Sequence, residues 1–288
     1  MKRKAEPARC RNGEEFAAKL VERWPELAVK PGHEEIENPE SELFKIRERC
    51  VLTASRAGVL WNCTSGPSPK RFVDEKLGRV QPAPFSDYAK FFMERGRIME
   101  PQIANRATML MWAEFRQLFG GPFEHRSPGP FCTSKTAATP DGLWQFKIAD
   151  TWYVMPFEIK FFASKNIMPT AFPDHYIAQV VMQMIHARCE ISIAIGCVEE
   201  PSGRTPLRFW MLRLTESVRQ DYEKRLKRLK NWITRKANVP NQPREGEMLR
   251  SVVVGATSDI TTLWDFIDSN RHRLVRIADD EDTLTLGY

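Results

Sequence analysis

The strongest constraint on what this chain can fold into is a change of period between residues 131 and 162. Leu143, Gln145 and Lys147 alternate with Trp144, Phe146 and Ile148, the two-residue period of a strand. Ala149-Asp150 reads as a turn. Trp152 to Phe162 is rich in β-branched and aromatic residues, so the two runs are predicted to form an antiparallel hairpin. Residues paired across such a hairpin have position numbers that add to a constant. With the turn centred on Ala149-Asp150, Asp141 stands opposite Glu158, at the roughly 5 Å spacing of cross-strand neighbours. Alternation then puts Glu158 and Lys160 on one face of the strand and Phe157, Ile159 and Phe161 on the other.

Two acids and a lysine thus converge beside an apolar sheet face. Adjacent carboxylates repel, and one pKa rises unless a cation sits between them. A hard divalent ion such as Mg²⁺ satisfies both and keeps waters and phosphate oxygens as its other ligands. A lysine beside it holds or polarises a water whose pKa the ion lowers. This pattern fits phosphodiester hydrolysis. A surface hairpin with an exposed ion pair is the alternative reading. Against it, Glu158 and Lys160 interrupt an otherwise apolar strand, where charge needs a reason.

The rest of the chain supplies helices and one more strand. Residues 42–60 read as a helix pair, with Leu43, Ile46 and Cys50 on one face and Thr53 as the cap of the second helix. Residues 64–84 carry Gly66, Pro67, Pro69, Gly78, Pro82 and Pro84 and read as a loop-rich insertion. Ser86 is placed to cap a helix running towards Phe115, with a kink, break or restart expected at Pro101. Residues 174–189 are predicted helical, and Ile191 to Val198 is a short, fully apolar strand. From 215 to 236, Val218, Tyr222, Leu226, Leu229 and Ile233 share one helical face. The opposite face, with Arg219, Lys224, Arg225, Lys227, Arg228 and Lys230, is either a solvated surface or a phosphate-tracking one, where Trp232 and Arg235 would meet single-stranded DNA.

The expected organisation is an N-terminal extension over 1–40, a catalytic domain over 41–236, and a linker with an acidic tail over 237–288, packed on the core. An amphipathic helix over Glu14 to Trp24 is possible within the extension, and the tail's acidity lies in Asp279-Asp280-Glu281-Asp282. A net charge of +6 fits a polyanionic partner. The six cysteines form no Cys-x-x-Cys pair, which disfavours zinc and iron–sulfur sites and points to reduced thiols inside a cell. Lys2-Arg3-Lys4 is a solvated terminus or, in a eukaryotic cell or a nuclear virus, a nuclear address. No apolar run is long enough to span a membrane.

Four blocks, in order, resemble the PD-(D/E)XK nuclease superfamily, and within it the λ-exonuclease/YqaJ-like family that includes viral alkaline exonucleases. They are Leu52-Thr53-Ala54-Ser55, the stretch from Arg95 to Pro101 with Glu100, the pair Thr139-Pro140-Asp141-Gly142 and Glu158-Ile159-Lys160, and Tyr176-Ile177-Ala178-Gln179 followed by Gln183-Met184. The resemblance spans about residues 43 to 198. It implies an α/β (α+β) fold with a restriction-endonuclease-like core, a central mixed sheet flanked by helices. It implies that Asp141, Glu158 and the main-chain carbonyl of Ile159 bind Mg²⁺, with Mn²⁺ as a substitute, and that Lys160 positions the attacking water. Glu100 would face the metal centre and Gln179 would support it. Ser55 would touch the 5′ phosphate, joined by Arg47 or Arg49, and Tyr176 would lie along the DNA.

The activity implied is 5′-to-3′ digestion of double-stranded DNA ends for recombination, repair or viral genome processing. A single-strand annealing protein and a homo-oligomer are the implied partners. An endonuclease, or a nuclease that also cuts RNA, would share the fold and motifs. A non-catalytic nucleic-acid-binding protein is the alternative from a different class. His175 and His186 read as structural histidines.

Overall fold

The computed structural model describes residues 45, 49–126, 131–133, 135–162, 169–198 and 206–277. The possible helix over Glu14 to Trp24, Arg47 and the acidic run 279–282 lie outside them. At the centre is a seven-stranded mixed sheet in the order β2-β5-β6-β7-β8-β9, with β10 pairing β6 off that path. Its strands are β2 (Phe123–Arg126), β5 (Gly142–Ile148), β6 (Thr151–Phe162), β7 (Ile191–Val198), β8 (Leu207–Arg213), β9 (Val253–Thr257) and β10 (Val275–Ile277). A small second sheet runs β1 (Leu52–Thr53), β4 (Thr136–Ala138), β3 (Phe131–Cys132). The helices are α1 (Pro69–Lys76), α2 (Asp87–Leu118), α3 (Asp174–His186), α4 (Glu216–Thr234) and α5 (Ile260–Ser269).

The predicted hairpin is the middle of the sheet. β5 and β6 pair antiparallel from Ile148 opposite Thr151 to Gly142 opposite Phe157, the register expected of a turn at Ala149-Asp150. Ala149 takes φ 51°. Two-residue hairpin turns need that left-handed geometry, which Asn or Gly usually supplies. β6 and β7 are parallel, Glu158 opposite Ala194 and Lys160 opposite Gly196, and α3 makes the crossover that a parallel pair requires.

β6 changes neighbours along one edge. Trp152 to Val154 pair with β10, and Phe157 to Phe162 pair with β7. Pro156 falls between the two pairings. Proline has no amide to give to a ladder, so it is tolerated where neither neighbour asks for one, and its carbonyl accepts from the Ser192 hydroxyl at 2.8 Å.

The sheet is buried on both faces. On one, α3, α4 and the 3-10 helix Ala54–Trp61 pack over Ala194, Trp210 and Leu212. On the other, α2 and α5 pack over Trp144, Phe146, Phe157, Ile159, Ile193 and Ile195. This two-sided burial is why β7 has no polar alternation.

Several elements depart from the sequence expectation. Around residues 52–61 there is not a second α-helix but β1 followed by a 3-10 helix. Thr53 precedes that helix but its side chain caps nothing, and its hydroxyl lies 3.2 Å from that of Ser55. The Pro/Gly-rich stretch 64–84 contains α1, started by Ser68, which accepts from the Arg71 amide, and by Pro69 at the first position, where a missing amide costs nothing. Ser86 caps α2 as expected, accepting from the Ala89 amide at 3.2 Å, but the helix runs through Pro101 without a break. Burial of Ile103, Ala107, Met111 and Phe115, one per turn, offsets the roughly 3 kcal/mol that an interior proline costs. Residues 237–277, read as linker and tail with a possible short helix over Trp264 to Ile267, contribute two strands and 3-10 helices over Gly246–Val252 and Arg271–Arg273. That short helix is α5, extended to Ile260–Ser269. Among the described residues no helix is long and apolar enough to cross a membrane.

His125 on β2 carries a pH-dependent part of this stability. Its ring lies against Phe157, centroids 5.3 Å apart, and its Nε2 is buried with no hydrogen-bond partner. Burial pushes its pKa down from 6.5 to about 4. The unfolded chain therefore takes up the proton first, and the stability held above pH 6.5 is lost as pH falls from there towards 4. Between pH 7 and 5 this group should cost about 1–2 kcal/mol, allowing for solvent screening. His125→Leu is expected to flatten the fall in unfolding midpoint between those pH values. An unchanged slope would show that the acid sensitivity lies elsewhere.

Candidate active site

The antiparallel ladder ends at Gly142 opposite Phe157, and Asp141 is the next residue out. Gly142 is required by a close approach. A Cβ there would meet Phe157 Cζ at 2.1 Å and His125 Nε2 at 2.6 Å. With no ladder partner, Asp141 turns its Oδ2 onto the Ile159 amide at 2.6 Å. A strand residue presents its N–H and C=O to the same edge, so the Ile159 carbonyl lies on the edge where Asp141 stands.

Glu158 is fully buried, at 0% exposure. Its Oε1 accepts from Lys160 Nζ and from Gln179 Nε2. Its Oε2 accepts from Gln183 Nε2 at 2.6 Å, and that amide also donates to the Thr139 carbonyl at 3.1 Å. Gln179 and Gln183 are four apart on α3, so both amides face the sheet from one side of the helix. Lys160 Nζ lies over the Tyr176 ring, 5.0 Å from its centroid. Phe162, Phe172 and His175 surround that ring at 6.2, 5.8 and 3.9 Å.

The electrostatics follow from this crowding. Burial, then repulsion from Glu158 and Glu100, raises the Asp141 carboxyl well above its usual range, with Lys160 and the Ile159 amide working against the rise. Burial alone would weaken the Lys160 ammonium, but Glu158 and Asp141 outweigh it and hold the lysine firmly protonated. His175 is pushed down by burial and by Lys160. His186 is tied to the Thr136 hydroxyl and the Met182 carbonyl, both at 2.9 Å, a structural role.

The structure therefore brings together Asp141, Glu158, Lys160, Gln179 and Tyr176, with Glu100 close enough on α2 for its charge to act on Asp141. It adds Gln183, whose signal in the sequence was its spacing from Gln179. Ser55 is exposed at the start of the 3-10 helix, and Arg49 is exposed. Among the described residues no group of three or more His, Cys, Asp or Glu side chains converges as a metal cluster. A cation seat here would consist of two carboxylates and a main-chain oxygen. That all-oxygen set suits a hard divalent ion, and the mutual repulsion acting on Asp141 is what such an ion would relieve.

The sequence model of the YqaJ-like viral recombinase domain matches residues 42–190, slightly more than half of the chain. No curated protein matches the sequence. Among solved structures, the chain is similar to an alkaline exonuclease (LHK-Exo) from Laribacter hongkongensis, with 17% identity, 66% of this chain and 92% of that one covered, and a TM-score of 0.42. The same exonuclease in complex with dAMP gives 16% identity, 66% and 94% coverage, and a TM-score of 0.40. The family assignment rests on the sequence match.

Proposed function

The chain belongs to the YqaJ-like viral recombinase domain family, and from that premise we propose that it is a DNA exonuclease that hydrolyses phosphodiesters at Asp141, Glu158 and Lys160. The observation that carries this reading is the buried carboxylate of Glu158, held by three donors beside a second carboxylate whose ionisation the site resists. A buried pair of like charges costs a fold stability, so its presence calls for another role.

Asp141, Glu158 and the Ile159 carbonyl would hold Mg²⁺, or Mn²⁺ in its place. When bound, the ion neutralises the two acids, lowers the pKa of a coordinated water and offsets charge on the phosphate. Lys160, held by Glu158 and the Tyr176 ring, presents a fixed ammonium that orients the attacking water and meets the phosphate oxygens. Gln179 keeps Glu158 Oε1 in place. Ser55, with Arg47 or Arg49, is assigned the 5′ phosphate of the DNA end, and the exposed Lys224, Lys227 and Arg228 of α4 are assigned the strand's other phosphates. The substrate is a double-stranded DNA end, digested 5′ to 3′. An annealing protein that receives the exposed strand is the partner this product calls for, and self-association belongs to the same reading.

The test is a time course on end-labelled linear duplex carrying a 5′ phosphate, compared with closed circular DNA, with Mg²⁺ and with EDTA. We expect loss of the linear duplex only, release of mononucleotides from the 5′ end, and no digestion in EDTA. Cleavage of the circle at a similar rate would make the protein an endonuclease, and digestion in EDTA would rule out the metal seat.

A further inference from the structure

Gln183 lies in a stretch of α3 where Val180, Val181, Met182 and Met184 are apolar and fully buried, and it is itself 0% exposed. Its Nε2 donates to Glu158 Oε2 and to the Thr139 carbonyl. Both partners are acceptors, so the amide must face them with its nitrogen. The Oε1 atom is left buried with no hydrogen-bond partner. Such an orphaned acceptor weakens a fold. Methionine would fill a similar volume without that orphan, so what a glutamine adds here is its pair of bonds to Glu158 and Thr139.

Its two bonds reach two different segments. Glu158 is on β6. Thr139 stands two residues before Asp141, on the segment that leads into β5. The ladder joining β5 and β6 has already ended at Gly142 opposite Phe157. Beyond it, the Gln183 amide and the bond from the Ile159 amide to Asp141 tie the two carboxylate-bearing segments together. We propose that Gln183 is a positioning residue that sets the separation of the Asp141 and Glu158 carboxylates for a divalent cation, without touching DNA. This inference rests on the reading of that pair as the metal seat.

The experiment uses the full chain as wild type, Gln183→Met and Gln183→Leu. One measurement is the thermal unfolding midpoint during titration with Mg²⁺ or Mn²⁺ in the absence of DNA. The other is kcat and KM on linear duplex across a range of Mg²⁺ concentrations. For Gln183→Met we expect a metal-free midpoint within a few degrees of wild type and a KM for DNA within about threefold. The metal concentration for half-maximal stabilisation should rise roughly 10–100-fold, the usual effect of losing a group that orients a ligand, and excess Mg²⁺ should restore much of kcat. If Gln183→Met does not fold, Gln183→Leu, which donates to neither acceptor and adds no charge beside Glu158, carries the same expectation. An unchanged metal titration in the folded variant, or a loss of kcat that no Mg²⁺ concentration restores, overturns the role given to Gln183 while leaving the metal seat intact. A wild-type protein that neither responds to the metal nor digests DNA overturns the metal seat itself.

Discussion

Replacing Asp141 with asparagine is expected to lower metal-dependent DNA digestion by about a thousandfold or more, while leaving the metal-free protein at least as stable as wild type. The loss follows from removing one of the two charged ligands of the proposed cation seat, where a bound divalent ion would stabilise the reaction by several kcal/mol, at about 1.4 kcal/mol for each factor of ten. The stability sign follows from the raised carboxyl pKa. A group whose pKa is higher in the folded state than in the unfolded one costs stability once pH rises through the folded value. A neutral amide removes that cost, and its oxygen can still accept from the Ile159 amide. Digestion assays paired with melting in EDTA at pH 8 test both halves. Retained activity would remove Asp141 from the site, and a clear fall in metal-free stability would show that its charge is not strained.

The second large effect is expected far from the site. Trp264→Ala should cost about 3–5 kcal/mol and lower the unfolding midpoint by roughly 10 °C, read by urea titration and melting. Trp264 on α5 is fully buried. It packs against Phe115, Phe146, Phe119 and Phe123 at 5.0, 5.2, 5.8 and 5.9 Å, and its indole N–H donates to the Met111 carbonyl at 3.0 Å. Truncation leaves a large cavity and removes the indole bond to α2 inside the aromatic layer between α2 and the sheet. A change of less than about 1 kcal/mol would mean that α5 is dispensable packing.

The parts of this structure that the sequence foretold are those with a long, clean period. The β5–β6 register followed from alternation and one turn, and α3, β7 and α4 fall close to their expected bounds. The misses have physical causes. β2, β9 and β10 are short, and short strands owe their existence to the neighbours they pair with rather than to their own pattern. At Pro101 local propensity pointed to an interruption and packing prevailed. At Pro69 and Ser68 the punctuation that suggested a loop was the start of a helix. In the site, Asp141, Glu158 and Lys160 were legible because charge in an apolar strand stands out. The work of Gln183 was not, because a glutamine one turn from another looks the same whether it faces solvent or ties two strands together.

The exchange of partners at Pro156 divides the strand that carries Glu158 and Lys160 into two regimes of protection. Its first residues are shielded on that edge by β10, the last described strand of the chain, and Glu158 and Lys160 by β7, reached through α3. Opening of the C-terminal segment therefore bares the amides around Val154 without baring those around Ile159. The end of β6 that carries Glu158 and Lys160 is held by β7 rather than by β10, so opening of β10 is separated from those two residues by one residue that has no amide to exchange.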